Sequence, residues 1–576
     1  VIAALVLLAC GLPKGLPEPT DHRGPRSVVE VPMPDGVRLS THVMLPAGAG
    51  PFPTVLTRLP YPMGPVMAQR CSMLNKFGYA CVWQFVRGRG RSEGEWTPLE
   101  NEPADGAATL DWLVAQPFVD GTIALMGESY LGATQWAVAD RLPPQVKTII
   151  PSVIGAELYG SLYEGGLFRH EIATAWMSLM PGDKFRLLGG AAGYARALRH
   201  RPRREADVVA TGAPLPWYRE WVDNDRPTDP YWTREIAARA QSAPERVTVP
   251  VLMLGGWADA FTGAQLATWS RLATQAQSTM VIGPWDHLGR VAADLPQDGV
   301  DAVEGTGDGH QWPRVVDWLD HHLRGRPSAY PVGVVTWPVG GSGWVTREAW
   351  PPPTTPRVWG LAPGADPQRC TGGLVDPTAA TSDEVVQWTY DPADPTPAIG
   401  ADGVLAGVLP GWKGVPPGFV DQGALCEERA DLIGFRSAAL GAPLHVAGAL
   451  EATLVVATDA ADSAFGVRFV EELADGTRIV VREAYTSLSF RDGADVVAGY
   501  TPGEPVTVVL RTTPVEYVFQ PWSRVLVEVS SASFPRLEAH SNLDEDWAAA
   551  SRTVAAQQRL WLSGSSVGVP VVAPGG

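Results

Sequence analysis

The chain has 576 residues, 45% of them hydrophobic and 19% charged, which is too long for one ordinary domain of roughly 100–200 residues. Its 45 basic and 62 acidic side chains give a formal charge of −17, so it lacks the basic balance of a nucleic-acid binder, and its apolar content excludes intrinsic disorder. The 61 Gly and 53 Pro residues follow no period, which excludes collagen and points to many turns.

The first element is the apolar run Val1–Ala9, ending at Cys10. It is far shorter than the 20 or so residues that span a bilayer, and it fits the apolar core of an export signal. Leu7-Leu8-Ala9-Cys10 resembles the bacterial lipobox, so the expectation is an exported cell-envelope lipoprotein with a lipid anchor through Cys10. Residues 1–27 are read as signal and Pro-rich tether. The other cysteines, Cys71, Cys81, Cys370 and Cys426, allow three pairings. Pairing Cys71 with Cys81 and Cys370 with Cys426 keeps each bridge local, buried free thiols being the alternative. No pair has zinc spacing, and no metal is expected.

Val28–Ser40 reads as a hairpin turning at Pro34-Asp35-Gly36. Short apolar runs follow at 54–57, 80–86, 122–126, 148–150, 251–254 and 280–282, alternating with amphipathic stretches such as Met67–Phe77 and Gly106–Gln116. Strands alternating with helices predict a parallel sheet covered on both faces, an α/β class in two parts, 28–152 and 248–344. Residues 153–247, helical and rich in Trp and Arg, interrupt this rhythm between two strands. An insertion there caps the carboxyl edge of the sheet, where ligands bind. From 345 to 576 the pattern turns to β runs (Ala452–Thr458, Ala464–Glu472, Val506–Thr512, Val525–Val529) with Pro/Gly turns, predicting an all-β sandwich or jelly roll.

The strand ending at Met126 runs into Gly127-Glu128-Ser129-Tyr130-Leu131-Gly132 and then a helical stretch, Ala133–Arg141. Strand, Gly-flanked turn and helix are the setting that presents a serine on a strained elbow, although Leu131 stands where the usual pattern has Gly. Gly564-Ser565-Ser566-Val567-Gly568 matches that pattern literally. No helix follows it and no room is left downstream for an acid and a base, so Ser566 is assigned to a turn. A serine nucleophile needs a His base held by a carboxylate, in the order Ser, acid, His. Asp259 and His287 each stand just past a strand, on the sheet edge that bears Ser129. Asp259 has the alternative of capping the helix at about 263–273, and Asp286 is its local competitor. Of the ten His residues only His287 has a strand-end position; His321 and His322 fall on the helix Trp312–Leu323, His22 in the tether, and His170 and His200 in the cap.

Gly127–Gly132 with Gln135-Trp136, Gly255-Gly-Trp-Ala-Asp-Ala-Phe261 and Gly283-Pro-Trp-Asp-His287 resemble the cocaine esterase/NonD hydrolases, relatives of X-prolyl dipeptidyl-peptidases and α-amino-acid ester hydrolases. The likeness continues through Tyr390–Pro397, Asp421-Gln422 and Ser530–Pro535, and so covers the chain from about residue 28 onward. It implies an α/β-hydrolase core with an inserted helical cap and a C-terminal jelly roll. It also implies an oxyanion hole made by the hydroxyl of Tyr61, in Arg58-Leu-Pro-Tyr61, and the backbone N–H of Tyr130; one such donor is worth on the order of 3 kcal/mol. Phe85 stands where the family usually has Asp, before the Arg87-Gly-Arg-Gly-Arg91 loop, and altered packing is the expected result. That loop is read as structural, despite its three arginines.

The implied activity is ester hydrolysis by two-step acyl transfer from a small-molecule substrate, without cofactor. An X-prolyl peptidase or amide acylase is the enzymatic alternative, and a binding or scaffold protein with an idle hydrolase domain the non-enzymatic one. The residues after Asp259 (Ala260, Phe261, Thr262) carry no charge that would grip a substrate ammonium, which favours an uncharged acyl group packed by Phe261 and cap tryptophans. Glu164 in the cap remains one carboxylate available to an amine. No single Trp among the 22 is singled out as a ligand.

Overall fold

In the computed structural model, residues 23–182, 187–291, 311–366, 370–379, 382–400, 402–404 and 414–573 are described. Cys10 and the apolar start lie outside them.

The first sheet has ten strands: β1 (Arg23–Pro32), β2 (Arg38–Pro46), β3 (Phe52–Leu59), β4 (Ala80–Phe85), β5 (Val119–Glu128), β6 (Val146–Ser152), β9 (Leu252–Ala258), β10 (Thr279–Asp286), β11 (Gly333–Thr336) and β12 (Val345–Arg347). The intervening β7 (Tyr163–Glu164) and β8 (Leu167–Phe168) form a separate hairpin in the cap. The order β1-β2-β4-β3-β5-β6-β9-β10-β11-β12 is parallel from β4 through β11, with antiparallel strands at both margins. Every residue of β4, β9 and β10 is buried, the signature of strands covered on both faces. The hairpin turns where expected: Gly36 takes φ 87°, and Met33 N–H donates to Val37 O over 2.7 Å. β1 begins inside the stretch read as tether, because its N-terminal end finds a partner in β2, with Arg23 opposite Pro46 and Arg26 opposite Met44.

One face of this sheet packs on the helices Gly64–Lys76 and Trp312–Arg324. The other face joins an apolar core that runs on without a break into the second sheet. That second sheet takes all strands from β13 (Thr354–Ala362) to β24 (Ala556–Val572), twelve in number. β24 is 17 residues long and bridges the assembly: its first half pairs with β15 (Val385–Tyr390), its second with β13, and it borders β18 (Glu451–Thr458) along much of its length. The result is the expected α/β-hydrolase unit followed by a β-rich domain. Ser566 is not in a turn. It lies inside β24, opposite Gly360 and Thr453. The Gly/Ser content that suggests a turn instead serves a bulge, with Gly564 at φ 80° and a register shift between Thr453 and Val455.

The cap, between β6 and β9, is a set of short helices including His170–Leu179 and Pro216–Asp223. It is fastened to the β domain. The β7–β8 hairpin lays Gly165 and Gly166 so close to β20 (Arg478–Ser487) and Phe490 that a Cβ on either would stand 2.2 Å from Tyr485 O or from the Phe490 ring. Glu164 receives both Nη groups of Arg536 at 2.7 and 2.9 Å, and Phe168 packs on Trp547 with centroids 5.4 Å apart. Cys71 bonds to Cys81 and Cys370 to Cys426, the local pairing, with Cα–Cα distances of 5.2 and 6.0 Å. Among the described residues no helix is long and apolar enough to cross a membrane.

Candidate active site

Ser129 stands between β5 and the helix Tyr130–Trp136 at φ 55°, ψ −125°, a backbone conformation that L residues rarely adopt. The glycines around it show why the turn tolerates Leu131. A Cβ on Gly127 would come 2.4 Å from Leu131 Cβ, and one on Gly132 would come 2.5 Å from Ile154 and 3.1 Å from Gly127 O. The crowded position in this elbow is the third residue after the serine, and glycine occupies it there. Behind the turn, Gln135 ties the strand ends together. Its amide donates to Gly127 O and Ile150 O, both at 3.2 Å, and accepts from Ile150 N at 3.0 Å.

β9 and β10 are parallel neighbours, with Ala258 opposite Asp286, so the residues after them emerge side by side. His287 Nδ1 stands 2.8 Å from Asp259 Oδ1, and the Asp259 side chain is fully buried. Asp259 does not cap the following helix. Thr262–Ser270 has Phe261 at its N-cap and no side-chain cap, while Asp259 Oδ1 also accepts Phe261 N–H at 3.3 Å. Asp286 is committed elsewhere: it accepts the N–H groups of Leu288 and Arg290 at 2.9 Å and the Arg290 guanidinium at 2.7 Å. The two carboxylates nearest His287 in the chain and across the strands thus serve different partners. The Phe261 ring lies 5.2 Å from the His287 ring.

Burial alone would lower the pKa of His287, but the charge and hydrogen bond of Asp259, reinforced by Asp286 and Glu128, carry it above the ordinary value. A base must be neutral to take a proton. Turnover (kcat/KM) is therefore expected to fall along a one-proton limb whose midpoint lies above the free-imidazole value of about 6.5. A pH–rate profile checks this, and a midpoint at or below that value contradicts it. Stability runs the other way: the pair's contribution is full below the unfolded pKa and is lost as pH rises through the raised one.

The Tyr61 hydroxyl, just past β3, meets the hydroxyl of Ser129 and accepts the indole N–H of Trp176 at 3.2 Å. Burial pushes its pKa up to about 12, so the phenol keeps its proton and stays a donor. Tyr130 turns its ring away: its hydroxyl donates to Glu102 at 2.8 Å and accepts Leu99 N–H at 2.9 Å. Glu102 in turn pairs with Arg58 of β3 at 3.0 Å, so one buried chain of contacts ties the strand leading to Tyr61 to the residue after Ser129. The Tyr130 backbone N–H opens a helix, where no intrahelical acceptor exists. Glu128 is gripped at 2.8 and 2.9 Å by both Nη groups of Arg70, whose helix the Cys71–Cys81 bridge fastens to β4.

Above these groups stands an aromatic wall. Trp176 and Trp217 have centroids 5.5 Å apart, Trp217 and Trp221 5.0 Å, and Trp96 and Trp176 5.7 Å. Sequence reasoning singled out no tryptophan, because nothing along the chain joins Trp176 to Tyr61 across 115 positions. The arginine loop is structural. Arg89 lies 3.7 Å over the Trp96 ring and donates to Met180 O at 2.9 Å, holding the cap, while Arg87 pairs with Asp105 and Asp35. Phe85 fills the space against Gly90, where a Cβ would stand 2.6 Å from its ring. Glu164, the carboxylate left open to an amine, is taken by Arg536 and by the Tyr485 N–H at 3.1 Å.

Residues 35–289 match the family described as X-Pro dipeptidyl-peptidase (S15 family), and residues 332–563 match the X-Pro dipeptidyl-peptidase C-terminal non-catalytic domain. The cocaine esterase of Rhodococcus sp. (strain MB1 Bresler) is 29% identical over 547 residues, covering 90% of this chain and 92% of that protein. The fold is shared with an aminopeptidase from a marine sediment Thaumarchaeota archaeon (TM-score 0.78, 21% identity, 98% and 99% of the two chains). It is shared also with an α-amino acid ester hydrolase (TM-score 0.76, 21% identity, 95% and 96%). An elbow serine, an Asp–His pair at the ends of adjacent strands and these two consecutive matches lead to one conclusion: the chain joins an X-Pro dipeptidyl-peptidase (S15 family) unit to the matching C-terminal domain, and it is a serine hydrolase similar to cocaine esterase.

Proposed function

We propose that this protein hydrolyses carboxylic esters with an uncharged acyl group. The observation that carries this reading is the Asp259–His287 pair on the edge that presents Ser129, under an aromatic wall, with Glu128, Glu102 and Glu164 each held by an arginine. Ser129 Oγ attacks the ester carbonyl carbon while His287 takes its proton, and Asp259 holds the imidazole in the tautomer this needs. The oxyanion lies against the Tyr61 hydroxyl and the Tyr130 N–H. The C–O bond to the leaving alkoxide breaks as His287 returns the proton to it. Water, deprotonated by His287, then adds to the acyl-enzyme and releases the acid and Ser129.

The peptidase alternative requires an anchor for a substrate α-ammonium. Three carboxylates near the site are already engaged: Glu128 by Arg70, Glu102 by Arg58, Glu164 by Arg536. A panel of p-nitrophenyl esters from acetyl to octanoyl, run beside an X-Pro anilide, tests the proposal. Ester turnover with little or none on the anilide is expected, and the reverse pattern would move the protein to the peptidase branch.

The proposal extends to export and a lipid anchor at Cys10. Its supports are the apolar run before Cys10 and two disulfides, which persist in oxidising compartments.

A further inference from the structure

Asp259 sits on a loop, and a loop holds a side chain only as firmly as its own backbone is held. Two backbone carbonyls flank it, those of Trp257 and Ala260. Each accepts a hydrogen bond from an arginine that lies outside the hydrolase core. Arg482 of β20, in the β domain, donates through Nη2 to Trp257 O. Arg169, at the start of the cap helix His170–Leu179, donates through Nη1 to Ala260 O at 2.9 Å. Asp402, from the β domain, pairs with Arg169. Burial alone would raise its pKa, but Arg169, Arg536 and Arg482 together hold it below the ordinary carboxylate value.

Arg482 is poorly placed as a fold element. It is 3% exposed, and among the described residues no carboxylate lies within ion-pair distance of it. Its Nε is buried without a hydrogen-bond partner. Burial, offset in part by Asp402 and reinforced by the like charge of Arg536, brings its pKa down to about 10. A buried guanidinium in this state opposes folding, and a well-packed apolar side chain of similar volume is commonly neutral or stabilising in such a place. The contacts it has in return are Val481 O at 3.1 Å, its own neighbour, the Phe419 ring face with its centroid 5.2 Å from Cζ, and the carbonyl two residues before Asp259.

From this geometry we infer that Arg482, seconded by Arg169, is a positioning residue for the acid of the site: the β domain and the cap pin the two ends of the Asp259 loop and so set the carboxylate against His287. The inference rests on the Ser–His–Asp reading above and gives the C-terminal domain a part in the chemistry. It acts through Asp259 and touches no substrate.

Arg482→Met separates this role from a structural one. A fold element removed lowers the thermal midpoint. A positioning residue removed leaves the midpoint unchanged or raises it, while kcat falls roughly 10- to 100-fold with KM nearly constant. The acid limb of the pH–rate profile should also move to lower pH, because a slackened Asp259 supports the imidazolium less. In an Asp259→Asn background the same change should add nothing. Unchanged kcat with an unmoved limb overturns the inference, and so does a full additional loss in that background. Should Arg482→Met fail to fold, Arg169→Lys reads the other pin. Lysine keeps the charge facing Asp402 but cannot also serve Ala260 O, so the same kcat loss and limb shift are expected, and wild-type behaviour overturns the inference. All variants are also compared by the rate at which a fluorophosphonate labels Ser129. That rate needs an activated serine but no particular substrate, so a failed ester assignment is not mistaken for a failed positioning role.

Discussion

Ser129→Ala is expected to lower ester turnover by roughly 10⁶-fold, to background, because a triad without its nucleophile retains only binding and oxyanion stabilisation. Far-ultraviolet circular dichroism and the thermal midpoint should not change. The strain in this turn belongs to the backbone, φ 55° and ψ −125°, and alanine inherits it. Ser129→Gly makes a second arm with a different signature: the same loss of activity together with a gain of about 1 kcal/mol in stability, since glycine adopts that conformation without penalty. Fluorophosphonate labelling should vanish in both. Residual labelling at Ser566 would point to the other Gly-x-Ser-x-Gly match, which the structure places in the pairing of β24 with β13 and β18. Ester turnover by Ser129→Ala at even a per cent of the parent would sink the assignment.

Asp259→Asn is expected to reduce kcat by about 10⁴-fold with KM nearly unchanged. The replacement is isosteric, but an amide that donates toward Nδ1 forces the imidazole into the tautomer that cannot accept the serine proton. The second oxygen of Asp259 is buried without a hydrogen-bond partner, so the amide finds nothing better to do on that side. Asp286→Asn is the control. Its oxygens serve Arg290 and the turn 286–290, and its loss should loosen that turn and change kcat far less. If Asp286→Asn proved the more damaging of the two, the acid would have to be reassigned.

The placement of the candidate site was legible in the sequence for a topological reason. In a parallel sheet all the carboxyl ends lie on one edge, so a residue directly after an apolar run is already located in three dimensions. Ser129, Asp259 and His287 each follow a strand that ends within three residues of it. The glycine after Ser129 was legible as a departure, and the structure supplies its cause in the contact of Gly132 with Ile154. The boundaries of irregular segments were less legible. The helix after Ser129 ends at Trp136 instead of running to Arg141, and Ser566 is in a strand because Gly564 absorbs the irregularity as a bulge. Contacts between distant segments were not legible at all. The indole of Trp176 on Tyr61 and the guanidinium of Arg482 on Trp257 are set by where the cap and the β domain dock, which no local pattern of residues encodes.

The fastening of the cap bears on how substrate arrives. Swinging it away would separate Glu164 from Arg536 and strip Gly165, Gly166 and Phe168 from their packing on the β domain, so all of these contacts oppose an open form. Entry is then through a standing aperture instead of a moving lid. Such an enzyme shows no lag and no jump in rate when its substrate forms micelles, and it ranks substrates by girth before it ranks them by reactivity.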